Sequence, residues 1–229
     1  MPSFLQIESI QIVILAIVQG IAEFLPISSS GHLVILSELF GMGEGTTELN
    51  IILHFGTLLA IVLFYRKRII ALLSADQRVI PLLIVGTIPI VIVGLTVKKV
   101  FPWVTASPLL AGFMLPITGL MLLMLPKIKE GEDEYQDITY KTALLIGCAQ
   151  AFAILPGISR SGSTIVAGSW LGLKRQSATT FSFLLAIPAI LGATVLEVKD
   201  MIEKDPTAET LRGQPPPISR HRYTNHISI

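Results

Sequence analysis

Gln19-Gly-Ile-Ala-Glu-Phe-Leu-Pro-Ile-Ser-Ser-Ser-Gly31-His32 recurs further along the chain as Gln150-Ala-Phe-Ala-Ile-Leu-Pro-Gly-Ile-Ser-Arg-Ser-Gly162-Ser163. Gln19 precedes Ser30 by eleven positions and Gln150 precedes Ser161 by the same eleven, so the copies keep register to the Ser-Gly step. Each copy is an apolar segment stopped by proline, then a Ser/Gly turn, then a second apolar segment. Proline breaks a helix by removing a backbone donor and crowding the preceding turn. The pattern therefore predicts two helix–break–helix hairpins. Hydroxyls, a carboxylate, an imidazole and a guanidinium are costly in lipid, so finding them inside apolar sequence marks a site.

Composition widens this reading. The 229 residues are 52% hydrophobic and only 14% charged, against about 25% charged in soluble domains. Mean hydropathy is +0.70. One integral membrane domain is the economical reading. The net charge of +1 comes without a basic stripe interleaved with aromatics, so nucleic-acid binding is set aside. Cys148 is the single cysteine, which excludes an internal disulfide and a cysteine metal cluster, and it reads as a small buried hydrophobe. The first apolar run lacks a basic leader, so no cleaved signal peptide is expected.

Apolar runs fall at 10–25, 33–41, 51–65, 79–97, 108–126, 142–155, 164–173 and 181–198. Only 79–97, 108–126 and 181–198 approach the ~20 residues of a simple spanning helix. Short, broken segments in matching halves point to inverted repeats around a midplane site. The expected fold is an all-α polytopic membrane protein with inverted-topology repeats and two re-entrant helical hairpins, at 10–41 and 142–173. Their tips should lie near 26–31 and 156–162, surrounded by protein or a watery cavity. Arg66-Lys67-Arg68 with Lys127 and Lys129 favours a cytoplasmic side, which turns the cleft outward; Lys98 and Lys99 weaken that signal. Glu130-Gly-Glu-Asp-Glu134 reads as a solvated loop. Residues 1–198 form the membrane domain. Residues 199–229, with nine charged residues and Pro215-Pro216-Pro217, read as a polar, disordered tail.

Gln19 and Glu23 lie four apart and share one helix face. Glu23 sits in the last turn, the wrong end of the helix dipole for a carboxylate, so it needs a cation or donor. A divalent metal would serve; a water-exposed helix end is the simpler alternative. Ser28, Ser29 and Ser30 suit the cap of the following helix, and the freed amides of that helix start form an anion cradle. His32, one turn on, can carry a proton near neutral pH. Arg160 offers a planar fork for phosphate, or else a structural ion pair with Glu23. Ser159, Ser161, Gly162, Ser163 and Thr164 add hydroxyls and a second helix start. His54 lies in its own apolar run, as packing or as a supporting group behind the site. This set suits phosphoryl transfer, which depends on positioning and charge neutralisation.

Across Gln19-Gly-Ile-Ala-Glu23, Phe24-Leu-Pro-Ile-Ser-Ser-Ser-Gly-His32, His54-Phe-Gly-Thr-Leu-Leu-Ala60, Leu155-Pro-Gly-Ile-Ser-Arg-Ser-Gly-Ser-Thr164 and Phe181-Ser-Phe-Leu-Leu-Ala-Ile-Pro188, the chain resembles the undecaprenyl-diphosphate phosphatase family, also called the bacitracin-resistance family. The resemblance implies an inner-membrane enzyme that removes the terminal phosphate of undecaprenyl diphosphate and so recycles the lipid carrier of cell-wall synthesis. It implies that Gln19 and Glu23 serve divalent metal and catalysis, with Mg2+ or Ca2+ on the diphosphate. It implies that Ser29 and His32 are the essential serine and histidine, and that Arg160 holds the diphosphate. Serine and histidine remain alternative nucleophiles. Family members continue past 181–198 with further helices, where this chain has its polar tail; an inactive truncated member is therefore one alternative. A lipid-phosphate flippase built on the same cradle is another. A phosphatidic-acid-type phosphatase is rejected, because the next histidine after Ser159-Arg160 is His221, in the tail. The partners expected are a polyisoprenyl diphosphate and the membrane, and a homo-oligomer is compatible with both.

Overall fold

The computed structural model describes residues 2–42 and 46–204. Both proline-broken segments are helical hairpins. Helix α1 (Pro2–Phe24) breaks at 25–28 and returns as α2 (Ser29–Leu39). Helix α7 (Tyr140–Phe152) breaks at 153–159 and returns as α8 (Arg160–Trp170). Among the described residues three helices are long and apolar enough to cross a membrane: α5 (Val79–Val100), α6 (Pro108–Met124, extended by a short turn to Lys127) and α9 (Arg175–Lys204). Twenty-two residues, as in α5, span about 33 Å, the thickness of a bilayer core. The 51–65 run is the end of α3 (Thr46–Phe64), which bends by 74° into α4 (Arg66–Leu72). The basic cluster predicted to follow a span thus lies on a short helix joined to it by Tyr65 alone. No strand occurs among the described residues.

Polar contacts fix the two ends of the bundle. At one end, Asp133 forms a parallel bridge with Leu173, and Lys174 pairs with Glu134 at 2.7 Å. Arg68 lines the same cleft as Glu134 and Gln176. That end therefore holds α4, the start of α7 and the α8–α9 turn. At the other end, Lys98 of α5 reaches Asp200 of α9 at 2.6 Å. Helix α3 finishes at the Arg68 end and so begins at the Lys98 end, where α2 leads into it. The first hairpin thus enters from the Lys98 end and the second from the Arg68 end. This is the inverted arrangement the repeats predict.

Helix α9 is the centre of the core. Its Phe181, Leu184 and Leu185 pack with Ile146 of α7 and with Leu82 and Leu83 of α5. Gly86 and Gly147 let α5 and α7 touch backbone to backbone; a Cβ on Gly147 would lie 2.9 Å from Gly86 Cα. The outward faces carry large exposed apolar side chains such as Ile92, Phe113, Leu120 and Leu123, as a lipid-facing surface requires.

Two expectations are corrected, and a third, the solvated acidic loop, holds with an addition. Cys148 is exposed, not buried: it shares the outer face of α7 with Leu144 and Leu145, and an apolar run does not distinguish lipid-facing from core positions. The acidic loop is exposed but tethered, because Asp133 joins the bridge and Glu134 accepts from Ser177 as well as Lys174. Helix α9 carries 199–204, which the sequence assigns to the tail; the rest of that tail, 205–229, lies outside the described residues.

Candidate active site

The two hairpin tips meet, and Glu23 is the junction. It lies in the last turn of α1 and is 6% exposed. Its Oε2 accepts from Ser29 Oγ at 2.6 Å and from Gln19 Nε2 at 3.3 Å. Its Oε1 accepts from the guanidinium of Arg160, which belongs to the other hairpin. A carboxylate at a helix C-terminus inside a membrane protein needs these donors, since burial without them is prohibitive. The Glu23–Arg160 ion pair weighed in the sequence is present, and it joins the two hairpins.

Each tip is built by capping. Ser28 Oγ accepts from Gly31 N at 3.3 Å, and Ser159 Oγ accepts from Gly162 N at 3.0 Å. Ser30 and Ser161 lie 3.4 and 3.3 Å from their own cap hydroxyls. The caps differ in backbone for a reason visible in the repeat. Five residues before Gly162 stands Gly157, with φ +95°; five before Gly31 stands Pro26, which cannot adopt a positive φ. In the first tip the left-handed residue is Ser28, at φ 69°, and it is the only described non-glycine residue with positive φ. Strained backbone of this kind is sustained only where the surroundings over-determine it. Glycine also sets the fit between tips. A Cβ at Gly31 would lie 2.6 Å from Gly157 Cα, and one at Gly162 would lie 3.1 Å from Pro26 O.

His32 Nδ1 lies 2.7 Å from Ser28 O. A carbonyl can only accept, so Nδ1 carries the proton and the neutral ring keeps its lone pair on Nε2. Glu23 bonds Ser29 rather than His32. Ser163 and Thr164 turn away from Glu23: Ser163 Oγ donates to Ser159 O at 2.8 Å, and Thr164 Oγ1 lies 2.6 Å from Ser182 Oγ of α9. His54 Nδ1 bonds Asn50 O at 2.8 Å. Its carbonyl accepts from Thr57 Oγ1 at 2.9 Å, and Thr57 Oγ1 in turn accepts from Gln19 Nε2 at 3.4 Å. His54 is thus linked to Gln19 through its backbone carbonyl and Thr57.

Two contributors escape the sequence reading. Thr57 is one. The other is Thr118 of α6, whose hydroxyl bonds the second tip at Gly157 O and Ser159 N. A single threonine in an apolar run carries no signal to set these apart.

Among the described residues no three His, Cys, Asp or Glu side chains gather as a metal site. The donors present are the Glu23 carboxylate and Gln19 Oε1, a buried carbonyl oxygen without a partner. That pair fits an ion such as Mg2+, which takes one or two protein carboxylates or carbonyls and completes its shell from substrate phosphates and water.

Comparison with known proteins adds a family. The model described as bacitracin resistance protein BacA matches residues 12–215. An undecaprenyl-diphosphatase of Rhodopirellula baltica is 59% identical over 204 residues, covering 89% of this chain and 79% of its own. Undecaprenyl-diphosphatase 4 of Bacillus thuringiensis is 47% identical over 191 residues, covering 83% and 74%. An undecaprenyl-diphosphatase of Carboxydothermus hydrogenoformans is 43% identical over 199 residues, covering 86% and 76%.

Proposed function

This chain belongs to the bacitracin-resistance BacA family, and from that membership we propose that it hydrolyses undecaprenyl diphosphate to undecaprenyl phosphate and inorganic phosphate. The reaction recycles the lipid carrier of cell-wall synthesis. The observation that carries the reading is the Glu23 junction, where a carboxylate and a serine of one hairpin meet an arginine of the other. The apolar helices α5, α6 and α9 support a multi-pass membrane protein, and the proposed location of the enzyme is the bacterial inner membrane. Its cleft faces the outer side, if the end holding Arg66, Lys67, Arg68, Lys127 and Lys129 is cytoplasmic.

The isoprenoid tail lies against the apolar helices while the headgroup reaches the tips. Arg160 turns from Glu23 to the phosphate oxygens, joined by the starts of α2 and α8. Ser29 Oγ attacks the terminal phosphorus and passes its proton to Glu23 Oε2, the 2.6 Å partner. As the Oγ–P bond forms, the bridging P–O bond breaks, and its electron pair leaves on undecaprenyl phosphate. Water then attacks the phosphoserine phosphorus and yields a proton to His32 Nε2, while the departing Oγ recovers its own from Glu23. Gln19 and Glu23 would hold a divalent cation, Mg2+ or Ca2+, which supplies charge neutralisation on the diphosphate.

His32 as nucleophile is the second reading, favoured by its Nε2 lone pair. Quenching the enzyme during turnover separates the two: phosphoserine survives acid, phosphohistidine does not. The activity itself is tested by phosphate release from undecaprenyl diphosphate in detergent, with and without chelator. Release that chelator abolishes is expected. Transport of the lipid with no phosphate released would replace hydrolysis by the flippase alternative.

A further inference from the structure

Helix α6 lies at the edge of the bundle, with Ala111 and Thr118 as its buried residues. Thr118 is 2% exposed, and its hydroxyl does something unusual for a threonine in a spanning helix. Thr87 and Thr96 of α5 and Thr179 of α9 donate to carbonyls four residues back in their own helices, the ordinary outlet for such a group. Thr118 instead crosses to the second tip. It donates to Gly157 O at 2.7 Å and accepts from Ser159 N at 2.9 Å. One hydroxyl thereby serves a carbonyl and an amide on either side of Ile158, in a stretch with no helical partner for them. Gly157 is pressed into α6 at this point, with a Cβ there 2.8 Å from Met114 Cβ and 3.0 Å from Leu115 N. Ser159 caps α8, and the next residue is Arg160.

We infer that Thr118 is a positioning residue for Arg160: its hydroxyl clamps the tip from α6 and sets where the guanidinium meets Glu23 and the substrate phosphate. The inference rests on the phosphatase reading for its consequence but not for its geometry. Small displacements of a phosphate-holding group are expensive in rate. The sequence places Thr118 far from either repeat, and α6 itself supplies no side chain to the Glu23 junction.

The test uses the full chain with Thr118→Val, which keeps shape and loses the hydroxyl, and Thr118→Ser, which keeps the hydroxyl. Steady-state phosphate release is measured alongside hydrogen–deuterium exchange of the tip peptide. Thr118→Val should lower kcat by about 10-fold or more, the scale of two lost hydrogen bonds, and raise exchange at 155–160. Thr118→Ser should stay within about 2-fold of the parent on both measures. On an Arg160→Lys background, Thr118→Val should cost less than about 2-fold more, because residues acting through one group are not additive. Thr118→Ser as damaged as Thr118→Val, full activity in Thr118→Val, or multiplying effects with Arg160→Lys would each overturn the inference. If the parent chain releases no phosphate, the phosphatase reading fails instead. The exchange measurement then decides alone, and an unchanged 155–160 peptide in Thr118→Val sinks the clamp.

Discussion

Glu23 holds three donors, from Gln19, Ser29 and Arg160, and each comes from a different place in the chain. Glu23→Gln keeps the volume but removes the charge that Arg160 faces and, in the proposed mechanism, the base for Ser29; phosphate release should fall by at least about 100-fold. Arg160→Ala should cost about 3–5 kcal/mol of stability, because it strands a buried carboxylate. Arg160→Ala combined with Glu23→Ala should recover part of that loss, read by denaturant titration in detergent. These residues were legible because charge inside apolar sequence has few innocent explanations. Ser163 and Thr164 were legible as hydroxyls only; their turn toward Ser159 and Ser182 depends on helix phase that a repeat motif does not encode. Thr57 lay inside the quoted His54–Ala60 stretch without being singled out, and Thr118 was invisible, since neighbours in space decide what a lone threonine bonds.

The hairpins are the elements whose sequence speaks most plainly, since Pro26 and Pro156 stop helices wherever they stand. The bend of 74° at Tyr65 was not legible, having neither proline nor glycine to announce it. Gly31→Ala would set a Cβ 2.6 Å from Gly157 Cα and 2.9 Å from Gly157 N, backbone atoms that cannot swing aside as a flexible side chain could. Release should drop by about 10-fold or more as the tips part, while Gly20→Ala, with nothing within 4 Å, should be harmless. At the Arg68 end, hydrogen bonds from Lys174 and Ser177 hold the Glu134 carboxyl below its ordinary range, and the bond to Glu134 holds the Lys174 amine above its own. Glu134 therefore contributes above its unfolded value of about 4.3, and that contribution is lost as pH falls through its lower folded value. Lys174 contributes below about 10.4, and that contribution is lost as pH rises through its higher folded value. Exchange protection at 130–137 should hold between those limits and weaken beyond both. Exposed pairs are weak, so the change should be small.

At the scale of the whole molecule, two hairpins enter from opposite ends and their tips meet at Glu23. The sequence carried that symmetry through the repeats. It did not carry the interlock of tip, α6 and α9, because packing between distant segments leaves no periodic trace. With Cys148 replaced by Ser, Lys174→Cys and Lys98→Cys should label from opposite faces of a sealed membrane, Lys174→Cys from the cytoplasm. The most direct test of a site shared by two hairpins is phosphate release from undecaprenyl diphosphate by the purified chain, by Glu23→Ala, by Arg160→Ala and by the double variant. A shared site predicts losses of at least about 100-fold in each single variant and little further loss in the double. Substantial release by either single variant, or losses that multiply, would contradict it.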